Sequence, residues 1–169
     1  MKNYLFALSL CLPASAMASN TITFVGEVSD STCNVTIGGN SGDLMIQLPT
    51  VTTTDLSSAG STAGEKEFTF EVNGCSGTAQ TNVGIRLVAP SVSTAGNLIN
   101  LASVTPATKV FVQILDGSSV IDFTSGEYHS AKKAFASALS FPFKARYYSE
   151  GSPTAGAVEA KLEYALSYN

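Results

Sequence analysis

The chain has 169 residues, 44% of them hydrophobic and 13% charged, with a formal net charge of -4. That apolar content suffices for one packed domain and excludes a disordered chain, while nine basic residues without a cluster exclude a nucleic-acid partner. Ser and Thr number 39 and Trp is absent, a composition that points to an all-β extracellular protein.

The N-terminus reads as an export signal. Lys2 supplies the positive charge, Leu5 to Leu12 form a short apolar run, and Ala16-Met17-Ala18 has the small-x-small pattern that signal peptidase cleaves. Residues 1–18 are therefore expected to be removed, and Cys11 with them. Cys33 and Cys75 remain, in an oxidising compartment where a pair becomes a disulfide. Closing a loop of that size is worth roughly 4 kcal/mol on a chain-entropy model. Two cysteines and the single His129 are too few for a structural metal site, and no cofactor motif occurs.

Strand patterns follow. Ile22, Phe24, Gly26 and Val28 share one face of residues 21–28, and residues 33–37 and 44–48 read as short strands. The Thr/Ser/Gly-rich stretch Thr50–Gly64 reads as a surface loop. Lys66–Val72 alternates, with Phe68, Phe70 and Val72 together, and Val83–Val88 and Lys109–Leu115 come next. Asp116-Gly117 marks a tight turn into a strand over Val120–Phe123. Ser130–Leu139 has room for a turn or two of helix, Phe141–Tyr148 is an aromatic-rich strand, and Val158–Tyr168 alternates to the end. About eight short strands separated by turn signals predict a single all-β sandwich.

Little here suits catalysis. Hydrolases need a nucleophile with a base, or paired carboxylates in a cleft, and His129 beside Tyr128 reads as a solvated loop residue. Lys132-Lys133 reads as wet surface, and the sequon Asn34-Val35-Thr36 matches at chance frequency. An enzyme is not expected.

Both ends of the exported chain are strand-patterned. The N-terminal alternation starts within four residues of the cleavage site, and Ala160, Leu162, Tyr164, Leu166 and Tyr168 share one face before Asn169. On patterning alone, two ordinary terminal strands explain this.

Several segments, taken in order, resemble the pilin subunits of chaperone–usher fimbriae, close to the type 1 major-subunit group. They are Phe24-Val25-Gly26-Glu27-Val28 leading to Cys33, then Cys75, then Val112-Gln113-Ile114-Leu115-Asp116, then Pro142-Phe143-Lys144-Ala145-Arg146-Tyr147. Gly156, fourteenth from the end, and the penultimate Tyr168 complete the pattern. The resemblance implies an incomplete immunoglobulin-like β-sandwich that lacks its final strand and is completed by donor-strand exchange. It implies residues 19–29 as the donor-strand extension and 30–169 as the pilin domain. Ile22, Phe24 and Val28 would fill pockets of another subunit, and Gly26 would pass a shallow point where no side chain fits. Gly156, Leu162, Tyr164, Leu166, Tyr168 and Asn169 would form the chaperone-binding and acceptor edge, with the Asn169 carboxylate meeting basic chaperone residues.

The implied partners are other pilin subunits, a periplasmic chaperone, the outer-membrane usher and, through the fibre, a host receptor. The implied destination is a surface fimbrium reached through the periplasm. The segment before Phe24 is short for a major type 1 subunit and resembles minor tip or adaptor pilins. A single-domain adhesin and a self-contained secreted sandwich are the remaining alternatives.

Overall fold

A computed structural model describes residues 32–77 and 81–169. The expected signal peptide and Ile22, Phe24, Gly26 and Val28 lie outside the described residues. Ten strands follow in chain order: β1 (Thr32–Ile37), β2 (Ala59–Ser76), β3 (Asn82–Val88), β4 (Leu98–Ile99) and β5 (Val110–Asp116). They continue with β6 (Ser119–Val120), β7 (Glu127–His129), β8 (Lys133–Ala134), β9 (Ala138–Glu150) and β10 (Glu163–Tyr168). A six-stranded sheet has the order β1-β2-β9-β5-β4, with β6 on β5, and a four-stranded sheet has the order β10-β3-β7, with β8 on β3. All these pairings are antiparallel.

The period-two alternation decides which faces meet. Phe68, Phe70 and Val72 of β2, Val112 and Ile114 of β5, and Phe141 and Phe143 of β9 turn inward against Val83, Ile85 and Leu87 of β3. Phe70 stands edge-on to Phe143 at 5.6 Å and packs against Tyr164 at 5.1 Å between ring centres. Each such buried side chain contributes about 1.5–3 kcal/mol of transfer free energy. A smaller cluster of Leu56, Ala107 and Val110 lies beside Val51, Tyr147 and Val158. Cys33 and Cys75 are disulfide-bonded, tying the start of β1 to the end of β2.

Several elements differ from the sequence expectation. Residues 44–48 form no ladder: Ile46 and Leu48 pack on the core while Met45 points to solvent at 94% exposure. Their alternation is that of a strand, but β1 ends in a turn where Ile37 and Asn40 exchange hydrogen bonds, and the chain leaves the edge of β2 there.

The expected loop Thr50–Gly64 is a loop only in its first part. β2 begins at Ala59 because the backbone of Ala59, Thr62 and Ala63 pairs with the end of β9, whatever the polarity of the side chains. Two irregularities interrupt that register, and Gly64 sits in one of them at φ 66°, its face against the Tyr147 ring.

The strand expected over Val120–Phe123 shrinks to β6, because Ile121 and Phe123 drop into the core after one pair of ladder contacts. Ser130–Leu139 contains β8 and no helix, with Ser130 bonded to Ile85 through both backbone and hydroxyl. His129 lies in β7 rather than in a loop, 3.5 Å from Glu127 on an exposed face. The ladder of the C-terminal strand starts at Glu163, five residues later than the alternation does.

Tyr128 reports on this packing. Its hydroxyl donates to Asp116 at 2.6 Å and its ring meets Phe143 edge-on. Burial, then the bond to the Asp116 carboxylate, push its phenol up to about 12. The unfolded chain releases this proton near pH 10, so this contribution to stability is present below that pH and is lost as pH rises toward 12. Tyr128→Phe should flatten the alkaline fall in unfolding free energy over that window and delete the last phenol seen in an ultraviolet titration.

Candidate functional site

Among the described residues, the candidate site is an edge of β10. Asn82 and Asn169 exchange both backbone hydrogen bonds, at 2.9 and 3.2 Å, which fixes the phase of the β3–β10 ladder. Ser167, Ala165 and Glu163 therefore turn their backbone groups toward β3. Tyr164, Leu166 and Tyr168 turn theirs away, and among the described residues no strand pairs with that side. The same three residues point their side chains toward the core, each half-buried. A free ladder edge beside an incompletely covered apolar row is a template for an added strand.

The edge runs further back than β10. Val158, Ala160 and Leu162 continue the half-buried alternation and pack on the same core. On the odd positions, Glu159 accepts from the Leu101 amide at 2.7 Å, and Ala157 accepts from Ala107 at 2.9 Å and donates to Thr105 at 2.8 Å. These bonds hold the segment on the side away from the free edge. Sequence reasoning missed the residue that completes the attachment. The Asn100 side-chain amide donates to the carbonyls of Ala107 and Ala157, both at 2.9 Å, and accepts from the amides of Ala102 and Glu159, both at 3.0 Å. Two donors and two acceptor sites exhaust what an amide side chain offers.

Facing this edge are β1 and the extended segment 44–48. Cys33, Val35, Ile37, Ile46 and Leu48 turn half-buried side chains to the same core. Two hydroxyls span the gap. Tyr168 accepts a hydrogen bond from the Cys33 amide, and Tyr164 donates to the Gly42 carbonyl, each at 3.1 Å. The Tyr168 ring also meets Phe135 edge-on, at 6.3 Å between centres. The disulfide holds the β1 wall at that end.

The remaining residues singled out in the sequence take distinct places. Leu162, Tyr164, Leu166 and Tyr168 come together along the edge. Gly156 stands apart from the apolar row, where its backbone crosses Thr105–Ala107 so closely that a Cβ would lie 2.5 Å from the Ala107 nitrogen. The Asn169 main-chain oxygen accepts from the amides of Thr81 and Asn82, and the cation beside it is Lys132 of the same chain, whose Nζ donates to the Tyr168 carbonyl at 2.7 Å. On the outer face of the large sheet, a hydrogen bond from Lys144 holds the Glu65 carboxyl below its ordinary range. Among the described residues, no group of His, Cys, Asp and Glu is arranged to hold a metal.

An all-β sandwich with one ladder edge open to its core defines the class: an incomplete immunoglobulin-like domain. The chain belongs to the fimbrial protein family, whose model matches residues 22–169. It is 32% identical to an F17 fimbrial protein of Escherichia coli over 99% of both chains. It is also 32% identical to the type-1 fimbrial protein A chain of Escherichia coli strain K12, covering 97% of this chain and 94% of that one. In fold it is similar to the P pilus rod subunit PapA, with a TM-score of 0.62, 16% identity, and 80% and 99% of the two chains covered. A chaperone–usher pilus subunit gives a TM-score of 0.63 at 18% identity over 94% of this chain and all of that one. The protein is thus a structural subunit of a surface fimbrium and not an enzyme.

Gly156→Ala tests the close crossing at the lower end of the edge. The added methyl must displace backbone, which overpacking data put at about 1–3 kcal/mol. A lowered denaturant midpoint with unchanged slope is expected, whereas Gly38→Ala, in a turn with open space around it, should cost only its backbone strain.

Proposed function

We propose that the open edge of β10 accepts a strand from outside the domain, and that in the fibre this strand is the N-terminal extension, residues 19–29, of a second subunit. The observation that carries the reading is the coincidence, on Tyr164, Leu166 and Tyr168, of outward backbone groups with core-facing side chains. Ile22, Phe24 and Val28 alternate as a complementary strand requires, with Gly26 between them for a close backbone approach. Burying the three large side chains is worth a gross ~4–9 kcal/mol before ordering costs. Residues 1–18 would serve as the signal peptide that delivers the chain to the periplasm.

Before assembly, an edge of this kind exposes apolar surface and an aggregation-prone ladder. A periplasmic chaperone lending a strand to the same edge would protect it, and an outer-membrane usher would exchange that strand for the next subunit's extension. Contact with a host receptor would come through the finished fibre. Relatives named as a major fimbrial subunit and as type-1 A chains favour a shaft position. The short segment before Phe24 and a relative named as a minor fimbrial subunit favour a tip or adaptor position.

Leu166→Asp places a charge in the middle of the edge. It should sharply lower recovery of mature subunit from periplasm in which the chaperone is co-expressed, with export unchanged. Deleting Ser19–Val28 should have the opposite profile: the subunit accumulates with chaperone and is never added to a preceding subunit. Equal soluble yields with and without chaperone, for the unaltered chain, would contradict the reading.

A further inference from the structure

The regular ladder accounts for only part of the free edge. β10 has six residues, about 20 Å of strand, yet the run of core-facing, half-buried side chains from Val158 to Tyr168 spans roughly 36 Å. Over its first half the neighbouring strand β3 is not alongside, since the β3–β10 pairing begins at Glu163 with Val88. An unpaired stretch of that length has no intrinsic reason to remain extended and in register with β10. What holds it is the loop over 100–107, through the backbone bonds of Leu101, Thr105 and Ala107 and the four bonds of the Asn100 side chain. The contacts that reach the segment fall on Ala157 and Glu159, while the other two Asn100 bonds, to Ala102 and Ala107, fix its amide within the loop. The intervening backbone groups of Val158, like those of Tyr164, Leu166 and Tyr168, therefore face the open side. Gly156 permits the same attachment from below, because only a residue without a side chain fits beneath Thr105–Ala107.

We propose that Asn100 is a positioning residue that sets the length of strand the subunit accepts. Its amide takes the place of a missing ladder neighbour and extends the accepting edge from β10 back to Val158. The inference rests on the strand-accepting reading of the edge and adds to it a determinant of which strands fit: long, fully alternating ones over short ones.

The test uses the full chain, refolded, with fluorescein-labelled peptides of residues 19–29 and two versions shortened by four residues from either end, followed by anisotropy. The unaltered chain should bind the long peptide about tenfold or more tighter than at least one shortened form. Asn100→Ala should lose that preference while its affinity for the shortened peptide stays the same, which also shows that the variant is folded. Should Asn100→Ala fail to fold, Asn100→Asp carries the comparison. It keeps oxygen acceptors for Ala102 and Glu159 but loses both donated bonds and sets a carboxylate against the Ala107 and Ala157 carbonyls. A variant that retains the full length preference, or an unaltered chain that binds all peptides equally, overturns the role of Asn100. Failure of every peptide to bind the unaltered chain overturns the strand-accepting reading itself.

Discussion

Backbone hydrogen-bonding groups that face an apolar core without partners cannot persist in a finished structure, because each unpaired group removed from water costs about 1–3 kcal/mol. Lys132 pairs the Tyr168 carbonyl, but the outward groups of Tyr164 and Leu166 meet that constraint only by remaining wet or by being paired from outside. Their side chains, half-covered against Phe70 and its neighbours, push toward the second solution. The rest of the molecule is arranged around keeping this edge straight, open and in place. β3 supports β10 from one side, the Cys33–Cys75 bridge anchors the opposite wall, and the loop over 100–107 carries the part that no strand supports.

The two tyrosine hydroxyls show how the unfilled edge is partly satisfied within one chain. Tyr168 pairs the first amide of the β1 wall, and Tyr164 pairs a carbonyl in the turn beyond it. Each neutral bond of this type contributes about 0.5–1.5 kcal/mol. Two of them are small beside the gross ~4–9 kcal/mol that three side chains of the proposed donor strand would bury. On that proposal an arriving strand would displace them, and the empty edge is held without being sealed.

Much of this was legible in the sequence. Phe68, Phe70 and Val72 announced a buried strand by period alone, two exported cysteines announced a bridge, and the alternation from Val158 to Tyr168 was visible in full. What stayed hidden was long-range. Ala59–Gly64 carries no apolar pattern, and it becomes strand because β9 runs beside it. Residues 44–48 carry the pattern without a ladder, because side-chain alternation reports which way residues face and says nothing about what lies alongside. Asn100 sits between Ile99 and Leu101 in a stretch with no motif, and its four partners lie as far as 59 residues along the chain. The one signal near it was Gly156, read as a family signature, whose physical reason is the backbone it passes under.

The central claim, an edge left open for a strand from another molecule, is tested most directly by amide hydrogen exchange at Tyr164 and Leu166, compared between the isolated subunit and the assembled fibre. Fast exchange in the isolated chain and strong protection in the fibre are the expected result, with Ala165 and Ser167 protected in both because they pair with β3. Protection of Tyr164 and Leu166 in the isolated monomer, or their continued fast exchange in the fibre, would contradict it.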